Sequence, residues 1–176
     1  MSKEKLLFKN LDRFDMYIAS VDRKAAFLVT FNTFVMGTLL LKYTDILKLY
    51  KISQIQCSIT VLLVICLISV IIAIILAFWA SKPYLGSGNQ AGGYTSLLFF
   101  GSVAEMDESS YSTNISSLGK RKLKDDLIHQ THTLALALDC KFKKIKISKF
   151  FTIAGVLFPI GIATTLLIID YMVRGN

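Results

Sequence analysis

Residues 57–80 read CSITVLLVICLISVIIAIILAFWA, 24 consecutive positions without an Asp, Glu, Lys, Arg or His. A helix of about 20 apolar residues crosses the hydrocarbon core of a bilayer, so this run is long enough to span it. Its closing Phe78-Trp79 pair suits the headgroup level, where amphipathic rings collect. Two further apolar runs flank it. Residues 25–41, with polar interruptions only at Thr30, Asn32, Thr33 and Thr38, lie at the short end of the spanning range. Residues 150–169 are closed by Lys149 on one side and by Asp170, Tyr171 and Arg174 on the other, and Pro159 predicts a kink within them. The chain is 53% hydrophobic, with a mean hydropathy of +0.55. Because these residues are bunched into runs rather than spread as helix or strand faces, the composition points to a membrane protein.

Charge orients the spans. Lys and Arg number six up to Lys24 and ten from Lys82 to Lys149, against three in the 42–56 stretch and one near the C-terminus. The basic side stays cytoplasmic, which places the N-terminus and the long middle segment inside and the C-terminus outside. The expected division is a cytoplasmic N-terminal helix (1–24), a first transmembrane helix (25–41), an outer loop (42–56), a second transmembrane helix (57–80), a cytoplasmic segment (81–149), a third transmembrane helix (150–170) and an outer tail (171–176). A cleaved signal peptide does not fit the first run. It begins too late after Lys3, Lys5 and Lys9, and no small-residue cleavage site follows it. The net charge of +8 then matches an anionic inner leaflet, and nucleic acid is not needed to explain it.

Before the first span, Leu7, Leu11, Phe14, Ile18, Val21 and Ala25 alternate spacings of four and three, the seam of a coiled coil. The phase continues through Leu28, Asn32, Val35 and Leu39, predicting one unbroken helix of about 38 residues, or about 57 Å at 1.5 Å per residue. Asn32 falls on that seam at mid-membrane depth. Its amide should seek a partner on another helix, either within its own bundle or as a device that sets oligomer register. Residues 45–56 read as a short helical, interfacial connection.

Residues 81–105 carry five glycines and Pro83 and read as a loop. Gly86-Ser87-Gly88 and Gly92-Gly93 lack the lysine and strand of a phosphate-binding loop and are read as a flexible linker. The cluster Leu97-Leu98-Phe99-Phe100 is too short to span and must pack against something. Asp107 is placed as the N-cap of a helix over 108–116, and another helix begins near Lys120. Along the latter, Leu127, Thr131, Leu134, Leu138, Lys141 and Ile145 again step by four and three. The expected fold is an all-α membrane protein: three transmembrane helices, with a cytoplasmic helical bundle built from extensions of the first and third spans plus the middle segment.

Chemistry is sparse. His129 and His132 stand three apart on one helix without a third ligand and read as surface residues, so no metal is expected. Asp125-Asp126 reads as a solvated helix face. Cys57, Cys66 and Cys140 form neither a ligand set nor a disulfide pattern. No nucleophile and base can converge, and the expectation is that the chain is not an enzyme. The spans hold no buried charge of the kind a proton-coupled pump requires.

Three stretches resemble the transmembrane Pycsar effector family: Asp22-Arg23-Lys24-Ala25-Ala26, then Ser96-Leu97-Leu98-Phe99-Phe100-Gly101 with Tyr111, then residues 127–141 (LIHQTHTLALALDCK). The similarity runs from about residue 10 to 170. One departure is that relatives often carry a Pro-Arg pair soon after the second span, whereas Lys82-Pro83 stands here. If that arginine touches phosphate in relatives, Lys82 has to substitute. The resemblance implies an effector of the bacterial inner membrane, and no cofactor is expected; three spans without a polar face cannot make a pore alone, so a homo-oligomer is expected if permeation is the output. On the cytoplasmic side it would bind cyclic UMP or cyclic CMP made by a partner cyclase, then impair the membrane and arrest the infected cell. Lys24, Phe99, Phe100 and Lys141 are the expected ligand contacts, two cations for the phosphate and two rings for the base. The same lysines also suit plain anchoring at the inner leaflet. The alternatives are a regulatory or structural subunit of another membrane complex and, third, a holin-like lysis protein.

Overall fold

The computed structural model describes residues 3–83 and 95–175. Five helices follow in order: α1 (Lys3–Lys48), α2 (Ser53–Ser81), α3 (Phe100–Ala104), α4 (Glu108–Ser116) and α5 (Lys120–Gly175). There is no strand among the described residues. Three helices, α1, α2 and α5, are long and apolar enough to cross a membrane. The glycine pairs at 86–88 and 92–93 lie outside the described residues.

The chain divides into two compact units. Unit 1 comprises residues 1–20 and 82–141, and unit 2 comprises residues 21–81 and 142–176. α1 and α5 each contribute to both. Their lengths, 46 and 56 residues, are far beyond the roughly 20 that a bilayer requires. The unbroken first helix is therefore even longer than its seam predicts. Only residues 49–52 separate α1 from α2, so the 45–56 connection is helical on both sides of a tight link.

Unit 2 is a three-helix bundle packed along seams of alternating four and three. On α1 the buried positions are Val21, Ala25, Leu28 and Asn32. On α2 they are Ile59, Cys66, Val70, Ala73, Ala77 and Ala80. On α5, Ile145, Ser148, Thr152, Gly155 and Pro159 continue the phase that begins at Leu127. A period of 3.5 is what facing helices need to keep one seam in contact. Small residues on α2 and α5 let the backbones approach, as expected where lipid removes the hydrophobic drive between helices. The approach is closest at Gly155, where an added Cβ would overlap Ser69 Cβ.

Polar groups tie the three helices. Asn32 Nδ2 donates to Leu28 O at 2.7 Å and to Thr152 Oγ1 at 2.9 Å. Thr152 Oγ1 donates to Ser148 O at 3.0 Å, and Ser148 Oγ donates across to Ala73 O at 2.8 Å. At the end where α1 meets α2, Tyr50 OH donates to Ala163 O at 2.8 Å and the Ile52 amide donates to Asp170 Oδ1 at 3.3 Å. Burial pushes the Tyr50 phenol up. Pro159 sits inside α5 and cannot return an N–H to Gly155 O. One turn later, Thr164 Oγ1 donates to the carbonyls of Ile160 and Gly161, and Thr165 Oγ1 donates to that of Gly161. Outward, the spanning helices expose large apolar side chains, with Leu41 82% and Phe158 74% exposed.

Candidate ligand site in unit 1

Unit 1 is built around the stretch 95–101. Ser96 is buried, and its Oγ accepts from the amides of Leu98 and Phe99 at 3.1 Å each. Asp126 on α5 accepts from the Leu97 amide at 2.9 Å. Two side chains thus take three successive backbone N–H groups of a non-helical turn, which would otherwise be orphaned. α3 starts from that turn, with Phe99 as N-cap and Val103 N donating to Phe99 O. The expected loop over 81–105 is corrected here, because residues 100–104 are helical. Gly101 allows the Phe99 ring to fold back, since a Cβ there would overlap the ring edge. Phe99 is half-buried and Phe100 is 64% exposed, with centroids 4.9 Å apart and rings tilted by 53°.

Asp126 also corrects the reading of Asp125-Asp126 as a solvated face. Asp125 is exposed, but Asp126 is 4% exposed and holds the turn. The available signal was its position next to Leu127, at the start of a seam. Which of two adjacent carboxylates is buried depends on an amide 29 residues away, which no local pattern records.

Asp107 caps α4 as expected. Its side chain accepts from the Ser110 amide at 3.1 Å and from the Ser109 hydroxyl. These bonds, that from Ser109 foremost, hold its carboxyl far below the usual carboxylate range. Between residues 95–97, α4 and the start of α5 lies a cavity of about 370 Å³. Its wall includes Thr95, Asn114, Ser117, Lys122, Asp125 and Asp126. Lys122 supplies a cation, and the carboxylates, amide and hydroxyl supply acceptors and donors.

The expected contacts are distributed as follows. Phe99 and Phe100 pack together in unit 1, and Lys141 is 6% exposed on the seam of the same unit. Lys24 belongs to unit 2, where its Nζ stands 6.0 Å from the Phe142 centroid, at the outer reach of a cation–π contact. None of the four lines the unit 1 cavity. Asn32 bonds Thr152 inside unit 2, the intrachain alternative for that amide. His129 is half-buried and His132 exposed on α5, both lining a shallow space beside Asp125 and Ile128. Among the described residues, no three His, Cys, Asp or Glu side chains are placed to hold a metal ion.

A family model described as the Pycsar effector protein domain matches residues 6–169. No curated protein matches the chain. No solved structure matches it either.

Proposed function

The chain belongs to the Pycsar effector family, a non-catalytic class of membrane effectors in anti-phage defence, and from that premise we propose what switches it on and what it does. A cyclic pyrimidine mononucleotide, cyclic UMP or cyclic CMP, made by a partner cyclase binds the cytoplasmic unit 1. Binding rearranges the spans of a homo-oligomer in the bacterial inner membrane, and loss of membrane integrity aborts the infection. The N-terminus is cytoplasmic and the C-terminus outside. The observation that carries this reading is the pairing of a polar cavity in unit 1 with two helices, α1 and α5, that also build the spanning unit. Three spans without a polar face cannot form a water-filled path alone, so permeation requires several copies.

Within unit 1, two placements compete for the ligand. The residues of this unit that resemble the family motif put the phosphate at Lys141 and the base against Phe99 and Phe100. The cavity favours a second placement, with the cyclic phosphate at Lys122 and the base and ribose donors on Asp125, Asp126 and Asn114. Calorimetric titration of the purified full chain with cyclic UMP and cyclic CMP separates them. Lys141→Ala abolishes binding in the first case and Lys122→Ala in the second.

The functional test is membrane potential in bacteria expressing the protein beside an active pyrimidine cyclase or its catalytically dead variant. Depolarisation with the active cyclase alone is the expected outcome. No change with either nucleotide, given confirmed insertion, transfers the weight to a regulatory or structural subunit of another membrane complex.

A further inference from the structure

The spanning unit contains a second cavity, of about 300 Å³, near the link between α1 and α2. Its floor is made of buried residues, Tyr50, Ile59, Cys66 and Pro159, and its rim includes Leu49 and Ile160, each 55% exposed. It is partly open, and its rim is apolar and lies on or next to helices long and apolar enough to cross a membrane. Water is a poor occupant. A buried water needs two to four polar partners, and the hydroxyl protons here are already committed: Tyr50 OH to Ala163 O, Thr164 Oγ1 to Ile160 O and Gly161 O. An empty space of this size would leave its apolar lining without contacts on one side. Hydrocarbon is the one apolar material that the bilayer presents to this rim in excess.

We propose that this cavity is a lipid site that takes a phospholipid acyl chain. A thin, unbranched chain enters past Leu49 and Ile160 and lies against Ile59, Cys66 and Pro159. It contacts α5 where Pro159 has already removed a backbone hydrogen bond, so its presence supports the helix where that bond is missing. This site does not depend on nucleotide binding.

The test uses the full chain in vesicles of phosphatidylethanolamine and phosphatidylglycerol containing a small fraction of phospholipid with a photoactivatable diazirine on one acyl chain. Adducts are mapped by mass spectrometry after illumination. Adducts on Ile59, Cys66 and Ala163, beside those on the lipid-facing Leu41 and Phe158, are expected. Filling the cavity with Ala163→Phe, or independently with Cys66→Leu, should lower the floor adducts severalfold and leave those on Leu41 and Phe158 unchanged. Labelling confined to Leu41 and Phe158 in the unmodified protein overturns the proposal. So does an oxidative Cys66–Cys66 link between copies in a Cys57→Ser, Cys140→Ser background, because a second copy then occupies the space.

Discussion

Asn32 is fully buried, and its two polar atoms are treated unequally. Its amide nitrogen bonds Leu28 O and Thr152, whereas Oδ1 has no hydrogen-bond partner among the described residues. Interhelical hydrogen bonds in membranes average about 0.6 kcal/mol and reach roughly 1.7. Thr152→Val should therefore lower stability by that order in a detergent-unfolding titration, while the double variant Asn32→Leu, Thr152→Val should recover it, because no amide is then left without an acceptor. Gly155 is a different case, since its role is steric. Gly155→Ala drives a methyl into Ser69 Cβ, and overpacking of this kind costs about 1–3 kcal/mol. The same titration should show the loss, and Ser69→Gly should relieve it. Asn32 was legible because a seam assigns every position a side. The cross-helix partner was not legible, because no local pattern states which residue of α5 stands opposite.

At the scale of elements, caps and ties decide what forms. Asp107 has a carboxyl pKa depressed by folding, chiefly through the Ser109 hydroxyl and then through Ser110. A depressed group contributes stability above its unfolded pKa, about 3.9, and that contribution fades as pH falls below it and is lost once the folded value is passed. The first turn of α4 should thus stay protected in mild acid and fray only in strong acid, read from exchange of the Ser110 amide. Asp107→Asn should retain the cap and remove the acid dependence, and Asp107→Ala should lose the protection at every pH. The Asp126 tie is the other decisive contact. A hydrogen bond to a charged group contributes roughly 1.5–3 kcal/mol, so Asp126→Ala should free the 96–101 turn, seen as faster Leu97 amide exchange and new proteolysis there. The cap of α4 and the start of α5 at Lys120 were readable from adjacent residues. α3 was not, because five residues containing Gly101 carry no periodicity, and the helix depends on Ser96 and Asp126 holding its leading turn.

For the whole molecule, the topology makes its own prediction. Cys140 is exposed on α5, and with unit 1 in the cytoplasm it should resist a membrane-impermeant maleimide in spheroplasts and react in inverted vesicles. Reaction of Cys140 in spheroplasts, read in a Cys57→Ser background, would reverse the proposed orientation. The three spanning helices were legible because continuous apolarity and length are properties of the chain itself. The 370 Å³ cavity was not, because its wall draws on Thr95, Asn114 and Lys122, which belong to three different segments and come together only through the tied turn and α4. The seam of α5 keeps a single phase from Leu127 to Pro159, so changes in this helix's length should be quantised. Insertions or deletions of seven residues, or paired changes of three and four, return every later side chain to its face. A single-residue gap would turn Lys141, Ser148, Thr152 and Gly155 off the seam together. Aligned relatives should show gaps within α5 only in such multiples, with solitary gaps purged.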